Sequence, residues 1–324
     1  MRGGEVNGPR HVPVLLEHVL NLLQVRRGGT YADATLGLAG HGSAIARRLG
    51  PRGTLIGFDR DPEALALASA ALDGLREELR DEMPQVRLVP QAFSTARDVL
   101  EPASLDGLLA DFGVSSLQLD SAHRGFSFRL DAPLDMRMDT RSGETAGQVV
   151  NQADEEDLAN LIYELGDERR SRRIARAIVR ARPIATTGEL ARVISAAAPA
   201  MKSDTIHPAT RTFQALRIRV NDELGEIRSL LESAPSLLKP GGRLAVISFH
   251  SLEDRLAKDA LRDGAAAGVW DVLTRKPVTA DDEEVQGNPR SRSAKLRVAL
   301  RLSTGPKVRR KIPPAGGSSR GYRT

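Results

Sequence analysis

Four short apolar segments, Thr30–Thr35, Thr54–Phe58, Val86–Val89 and Leu105–Ala110, alternate with stretches whose apolar residues recur at helical spacing. Such an alternation of strand and helix admits little besides a layered α/β fold with a parallel sheet. Most of the segments lack the polar alternation of a half-exposed strand, as expected where helices cover both faces. The helices are predicted at Val14–Leu23, through Ser43–Leu49, and over Glu63–Arg80, the last with Pro62 where it begins. The order βαβαβ–β makes one half of a doubly wound, Rossmann-like sheet.

Ligands of such sheets bind beyond the carboxyl ends of the strands. The first strand runs into Asp33-Ala-Thr-Leu-Gly37-Leu-Ala-Gly40-His41-Gly42, a glycine turn without the G-x-G-x-x-G dinucleotide spacing. Glycine permits close backbone approach to a ligand, and the helix after it offers free N–H groups. Asp33 would repel a pyrophosphate but attract a ligand bearing an ammonium and a sulfonium, which describes S-adenosylmethionine. Asp59, ending the second strand, is placed to accept both ribose hydroxyls. Phe93, beyond the third strand, offers a ring to adenine. Asp111 ends the fourth, beside the place of methyl delivery. Each acid alone reads as a helix cap or loop carboxylate; three at three strand ends, with the glycine turn, are far more specific.

The chain has no cysteine, which excludes disulfides, thiolate metal sites and cysteine nucleophiles. Carbon-5 methylation of pyrimidines commonly runs through a cysteine adduct, so an exocyclic nitrogen is the better-suited target. That nitrogen must be oriented and its hydrogen bonds accepted. Asp111 and the hydroxyls of Ser115 and Ser116 are candidates. In a chain only 3% aromatic, Phe112, Phe126 and Phe128 are candidate stacking partners for a base, with at least one of them ordinary core.

After the fourth strand the pattern changes. Gln118–Arg141 is loop-like, helical segments follow to about Ala200 (the longest spanning Leu158–Ala181), and Arg211–Leu238 reads as one long helix. An apolar strand returns only at Gly241–Phe249. The economical division is a core of residues 1–118, an inserted helical unit of 119–206, the rest of the core at 207–304, and a basic tail of 305–324. The acidic run Asp281–Glu284 reads as surface loop. The net charge of +5 is concentrated: eleven Lys or Arg and no acid from Arg290 to Thr324, and a second cluster at Arg169, Arg170, Arg172, Arg173, Arg176, Arg180 and Arg182. Either alone reads as a solvated face; together they favour a nucleic-acid partner. No stretch approaches the roughly 18 apolar residues of a membrane span, and the polar start Met1–Arg10 lacks a signal-peptide core. A cytoplasmic protein without a membrane partner is the expectation, with monomer and homodimer both open.

Several blocks resemble one family: Asp33-Ala-Thr-Leu-Gly37, Phe58-Asp59-Arg-Asp61-Pro62, Asp111-Phe-Gly-Val-Ser-Ser116, Arg124-Gly-Phe-Ser-Phe128, Pro133-Leu-Asp-Met-Arg-Met138, His207-Pro-Ala-Thr-Arg-Thr-Phe213 and Ser248-Phe-His-Ser-Leu-Glu-Asp-Arg255. With His11-Val-Pro-Val-Leu-Leu they are similar to the bacterial small-subunit ribosomal RNA cytosine-N4 methyltransferases, the RsmH or MraW family, from His11 to about Arg301. The resemblance implies a class I methyltransferase core with an inserted helical domain. It implies S-adenosylmethionine as methyl donor and the amino group of cytosine 1402, in the decoding centre of 16S rRNA, as target. Carried over by position, cofactor contacts fall on Ala39, Gly40, His41, Asp59, Phe93, Asp111 and Gln118, and no metal is implied. Family members usually have glycine where this chain has Ala39, serine where it has Gly42 and proline where it has Leu117. A positive φ at Ala39 would cost about 1 kcal/mol.

Two blocks have plain structural readings beside the functional one. His207 and Phe213 suit a helix start. Ser251 and Asp254 form an S-x-x-D capping box, whereas the functional reading puts Phe249 and His250 at the fifth strand's end, near the base, with His250 available for proton removal, although an N-methylated cytosine loses its proton readily to water and no base is compulsory. The rivals are a non-catalytic RNA-binding protein and a nicotinamide oxidoreductase; the set Asp33, Asp59 and Asp111 opposes the first, and Asp33 with the missing G-x-G the second.

Overall fold

The computed structural model describes residues 13–200 and 206–303. In chain order the elements are α1 (Leu16–Leu23), β1 (Thr30–Asp33), α2 (Gly40–Leu49), β2 (Thr54–Phe58), α3 (Pro62–Leu79), β3 (Gln85–Val89), α4 (Ala96–Val99), β4 (Leu105–Asp111) and α5 (Ser116–Asp120). Then come α6 (Ala146–Gln152), α7 (Glu155–Gly166), α8 (Ser171–Ala181), α9 (Thr187–Ala197), α10 (Ala209–Asn221) and α11 (Glu223–Leu237). The chain continues through β5 (Leu238–Ser248), α12 (Ser251–Ala266), β6 (Trp270–Val272), α13 (Asp282–Gly287) and β7 (Lys295–Arg301).

The sheet has the strand order β3-β2-β1-β4-β5-β7-β6. The first five strands run parallel and β7 pairs antiparallel with both β5 and β6. Successive residues point to opposite faces, and both faces are apolar: Leu108 and Val246 join one buried cluster, Leu109 and Ile247 the other. Helices α4, α11 and α12 cover the first face through Ala96, Ile227, Leu230 and Leu261. Helices α1, α2 and α3 cover the second through Val19, Ile45, Leu49 and Leu72. The order reverses between β1 and β4, and the crevice at that switch point is where an open α/β sheet holds its ligand.

Helices α6 to α9, between β4 and β5, gather around a third apolar cluster that includes Val150, Ile162, Ile178 and Ile194. Helix α10 adds Ala209, Phe213 and Leu216 to it. Two long helices expected from the sequence are each broken in two. The stretch Leu158–Ala181 breaks at Asp167 (φ 52°), where the buried Glu168 accepts the backbone N–H and the guanidinium of Arg170. The stretch Arg211–Leu238 breaks at Asp222 (φ 45°). Next to that break the Asn221 side chain accepts the Met138 amide at 2.7 Å and donates to the Met136 carbonyl at 2.7 Å, so this end of α10 holds the loop after β4. Apolar periodicity runs through both breaks, because one left-handed residue reorients the axis without disturbing the pattern. The acidic run at 281–284 is also helical, in α13, where Asp281 caps the Glu284 amide.

Candidate functional site

Beyond the ends of β1, β2 and β4 lies a cleft of about 370 Å³. Its first wall is the glycine turn. Gly37 takes φ +53°, and its N–H donates to Asp59 Oδ2 at 2.9 Å, while Asp59 Oδ1 accepts the Asp61 amide. Asp59 thereby links the turn to the start of α3, and burial raises its pKa in spite of those two amides. Gly40 has a packing reason for being glycine: a Cβ there would come within 2.6 Å of the Pro13 ring. A Cβ at Gly42 would come within 2.8 Å of Leu36.

Asp111, at the end of β4, donates its backbone N–H to Thr35 Oγ1 at 2.6 Å. Its side-chain Oδ1 is buried without a hydrogen-bond partner, and burial, followed by the charges of Asp33 and Glu253, lifts its pKa well above the usual carboxylate range. Such an orphaned acceptor is uncommon and calls for an explanation. Ser115 caps α5: its Oγ accepts the Gln118 amide, and Gln118 Oε1 accepts the Ser115 amide. The other end of the Gln118 side chain donates to Asp61, which also pairs with the buried Arg124. Arg124 in turn donates to the carbonyls of Arg137 and Met138, so one network ties the start of α3 to the loop after β4.

Gly40, Asp59, Phe93, Asp111, Ser115, Gln118 and His250, all expected from the sequence, line the cleft. Asp33, Ala39 and His41 lie behind the wall. Asp33 is 1% exposed and accepts the Thr35 amide; burial, then the charge of Asp59, raises its pKa to about 7. Ala39 is buried in the left-handed conformation (φ 60°, ψ 30°) that begins α2, so the conditional strain attaches to it. His41 braces from beneath, with Nε2 2.9 Å from the Val14 carbonyl and Nδ1 3.7 Å from Asp111 Oδ2.

Of the aromatic candidates, Phe112 borders the cleft with its ring centroid 6.0 Å from that of Phe93. Phe126 and Phe128 instead pack with the helical cluster, and the Phe128 ring lies 4.6 Å from that of His207, tilted by 34°, and meets Phe213 edge-on at 4.9 Å. The cap of α12 is not Ser251 with Asp254. His250 occupies the cap, Glu253 accepts the amides of Phe249 and His250, and Asp254 pairs with Lys295 and Arg297 on β7. The arginine cluster is likewise divided. Arg172, Arg173, Arg176 and Arg180 are exposed along α8, whereas Arg182 donates to the carbonyls of Val150 and Ala153 as a structural tie. The tail after Ser303 lies outside the described residues. Sequence reasoning missed Thr35, Arg217 and Glu253; the last stands inside the block Ser248–Arg255, which was its only signal.

A family model described as the MraW methylase family matches residues 8–302. The chain belongs to that family. It is therefore an S-adenosylmethionine-dependent methyltransferase, an enzyme on the α/β sheet described above. Among curated proteins it is 72% identical over 290 residues to the ribosomal RNA small subunit methyltransferase H of Acidobacterium capsulatum, covering 90% of this chain and 98% of that protein. It is 57% identical over 293 residues to the protein of that name from Koribacter versatilis, covering 90% and 94%. For that from Sorangium cellulosum the figure is 50% over 298 residues, covering 91% and 92%. The cleft suits the cofactor's chemistry, since it is lined by Asp59 and by Asp111, whose buried, unpartnered carboxylate oxygen a cationic ligand would satisfy.

Proposed function

We propose that this enzyme methylates the exocyclic N4 amino group of a cytosine in the decoding centre of 16S rRNA, cytosine 1402 in the standard count. The observation that carries the reading is the unpartnered Oδ1 of Asp111, at the end of β4 and shared by a cleft that also contains Asp59, Phe93 and His250. S-adenosylmethionine, when bound, supplies a methyl group activated on a sulfonium. Asp59 would hold the ribose hydroxyls and Phe93 the adenine, with Gly40 and Gln118 along the cofactor's path. Asp33, Ala39 and His41 would shape that path from behind. Asp111 orients the amino group by accepting its hydrogen bond, with the Ser115 hydroxyl beside it, and so holds the nitrogen in line for transfer. An amine needs no covalent intermediate, which agrees with a chain that has no cysteine.

In this reading residues 119–206 form an inserted substrate-recognition unit between core segments 1–118 and 207–304, and the exposed arginines of α8 face phosphates. The partner is 16S rRNA within the small subunit, and the location cytoplasmic. Among the described residues no helix is long and apolar enough to cross a membrane. Mass mapping of methylated nucleotides in small-subunit rRNA, from cells with and without this protein, tests the reading. A single cytosine losing its N4 methyl group is the expected result; unchanged rRNA would overturn it.

A further inference from the structure

The proton released on methylation has to leave the amino nitrogen, and one buried side chain is arranged for that event without reaching the substrate. Glu253 is 0% exposed in the first turn of α12. Its Oε2 accepts the amides of Phe249 at 2.7 Å and His250 at 3.3 Å. Its Oε1 is 3.1 Å from His250 Nε2, yet the alignment satisfies neither atom, and His250 Nδ1 also lacks a partner. A Cβ at Gly113 would stand 3.9 Å from the same Oε1, so the carboxylate abuts the loop that follows Asp111. Burial works against its charge. The adjacent His250 ring, the charge of Arg217 and the Phe249 amide outweigh that cost and hold Glu253 below the ordinary carboxylate range. A buried carboxylate oxygen without a full hydrogen bond costs free energy unless a cation or donor meets it.

We propose that Glu253 is a positioning residue for methyl transfer, holding the His250 ring with Nε2 protonated so that Nδ1 receives the amino proton. The inference rests on the methyl-transfer reading above. The amino nitrogen's lone pair forms the new N–C bond, while sulfur keeps the pair of the broken C–S bond. One N–H proton passes to Nδ1, leaving a neutral methylated amine and an imidazolium beside the Glu253 carboxylate. A carboxylate that fixes a tautomer and stabilises the imidazolium is a recurrent arrangement in proton transfer. Glu223, His250 and Glu253 also have ligand atoms within 4.8 Å of one another, the spacing of a metal site. Both oxygens of Glu223 are taken by the Arg217 guanidinium at 2.8 and 2.9 Å, so the cluster already contains a cation.

The test is single-turnover methyl transfer to unmodified small-subunit rRNA by the wild type, Glu253→Gln, His250→Gln and the double variant. It is read beside S-adenosylmethionine affinity and the ring ¹⁵N shifts of His250. Glu253→Gln should slow transfer about 10²-fold with cofactor affinity unchanged, and the ring should pass from one tautomer to a mixture. The double variant should be no slower than His250→Gln, because Glu253 acts through that ring. A Glu253→Gln rate equal to wild type, or losses that multiply in the double variant, would overturn the proposal. So would wild-type turnover abolished by a chelator and restored by a divalent ion, which would make the cluster a metal site. If Glu253→Gln no longer binds cofactor, His250→Gln alone decides, and an unchanged rate there rejects the proposal. A wild-type protein that transfers no methyl group fails the underlying reading first and takes this inference with it.

Discussion

The hydroxyl of Thr35 accepts the backbone N–H of Asp111 at 2.6 Å and so ties the end of β1 to the end of β4 across the switch point of the sheet. Thr35 also donates its own amide to Asp33. One small side chain thereby sets the spacing between the start of the glycine turn and Asp111. Thr35→Val keeps the shape and removes the acceptor. Leaving the Asp111 amide unpaired should cost about 1–3 kcal/mol and weaken S-adenosylmethionine binding, whereas Thr35→Ser should restore both. Denaturant unfolding and calorimetric titration read the two effects.

The three strand-end carboxylates make the cofactor-free protein sensitive to pH. Burial and the neighbouring Asp59 raise the Asp33 carboxyl to about 7, against about 3.9 in an unfolded chain. A group raised in the folded state contributes stability that is complete below its unfolded value and is lost as pH climbs through its folded value. Between pH 5 and 8 the protein should therefore lose stability through Asp33, by an amount on the order of 3 kcal/mol. Asp33→Asn should flatten that slope. If the two stability curves run parallel, the carboxyl does not titrate there.

Cofactor binding should show the opposite trend. A cationic ligand favours the ionised forms of Asp33, Asp59 and Asp111, all of which are raised by burial. Affinity should rise with pH through about 7, with protons released on binding. Calorimetry in buffers of different ionisation enthalpy measures that release; an affinity flat over this range would separate the three carboxylates from cofactor recognition.

Ala39 carries a left-handed backbone conformation (φ 60°, ψ 30°), and its methyl group is fully buried. Ala39→Gly should relieve about 1 kcal/mol of strain and forfeit about 0.8 kcal/mol of methyl burial. The melting temperature should hardly move. Ala39→Val, β-branched at the same φ, should lower it clearly. A large gain on Ala39→Gly would mean that the methyl packs poorly.

Arg124, 3% exposed, joins Asp61, Glu63 and two loop carbonyls. Arg124→Met would leave the buried Asp61 uncompensated, at a cost of about 3–5 kcal/mol. Because Asp61 also holds Gln118, cofactor affinity should fall in parallel. A variant as stable as wild type in guanidinium unfolding would show that the network is dispensable.

The glycine turn, the strand-end acids Asp59 and Asp111, and the alternation of strand and helix were all legible in the sequence. They are local properties: periodicity over a few residues, turn chemistry and the residue that ends each strand. The breaks at Asp167 and Asp222 were not, because apolar spacing continues through them while the polar side chains beside them, Glu168 bound to Arg170 and Asn221 bound to the backbone at Met136 and Met138, hold the chain in its new direction. What only the tertiary structure decided was which groups meet. Asp33 is turned behind the wall, Phe128 is drawn away to His207, and Glu253 is enclosed beside His250 with Arg217 near by. Those outcomes depend on how the helices between β4 and β5 return to the sheet and on which polar atoms burial leaves without a partner. Desolvation and charge pairing act through space, and the spacing of residues along the chain does not encode them.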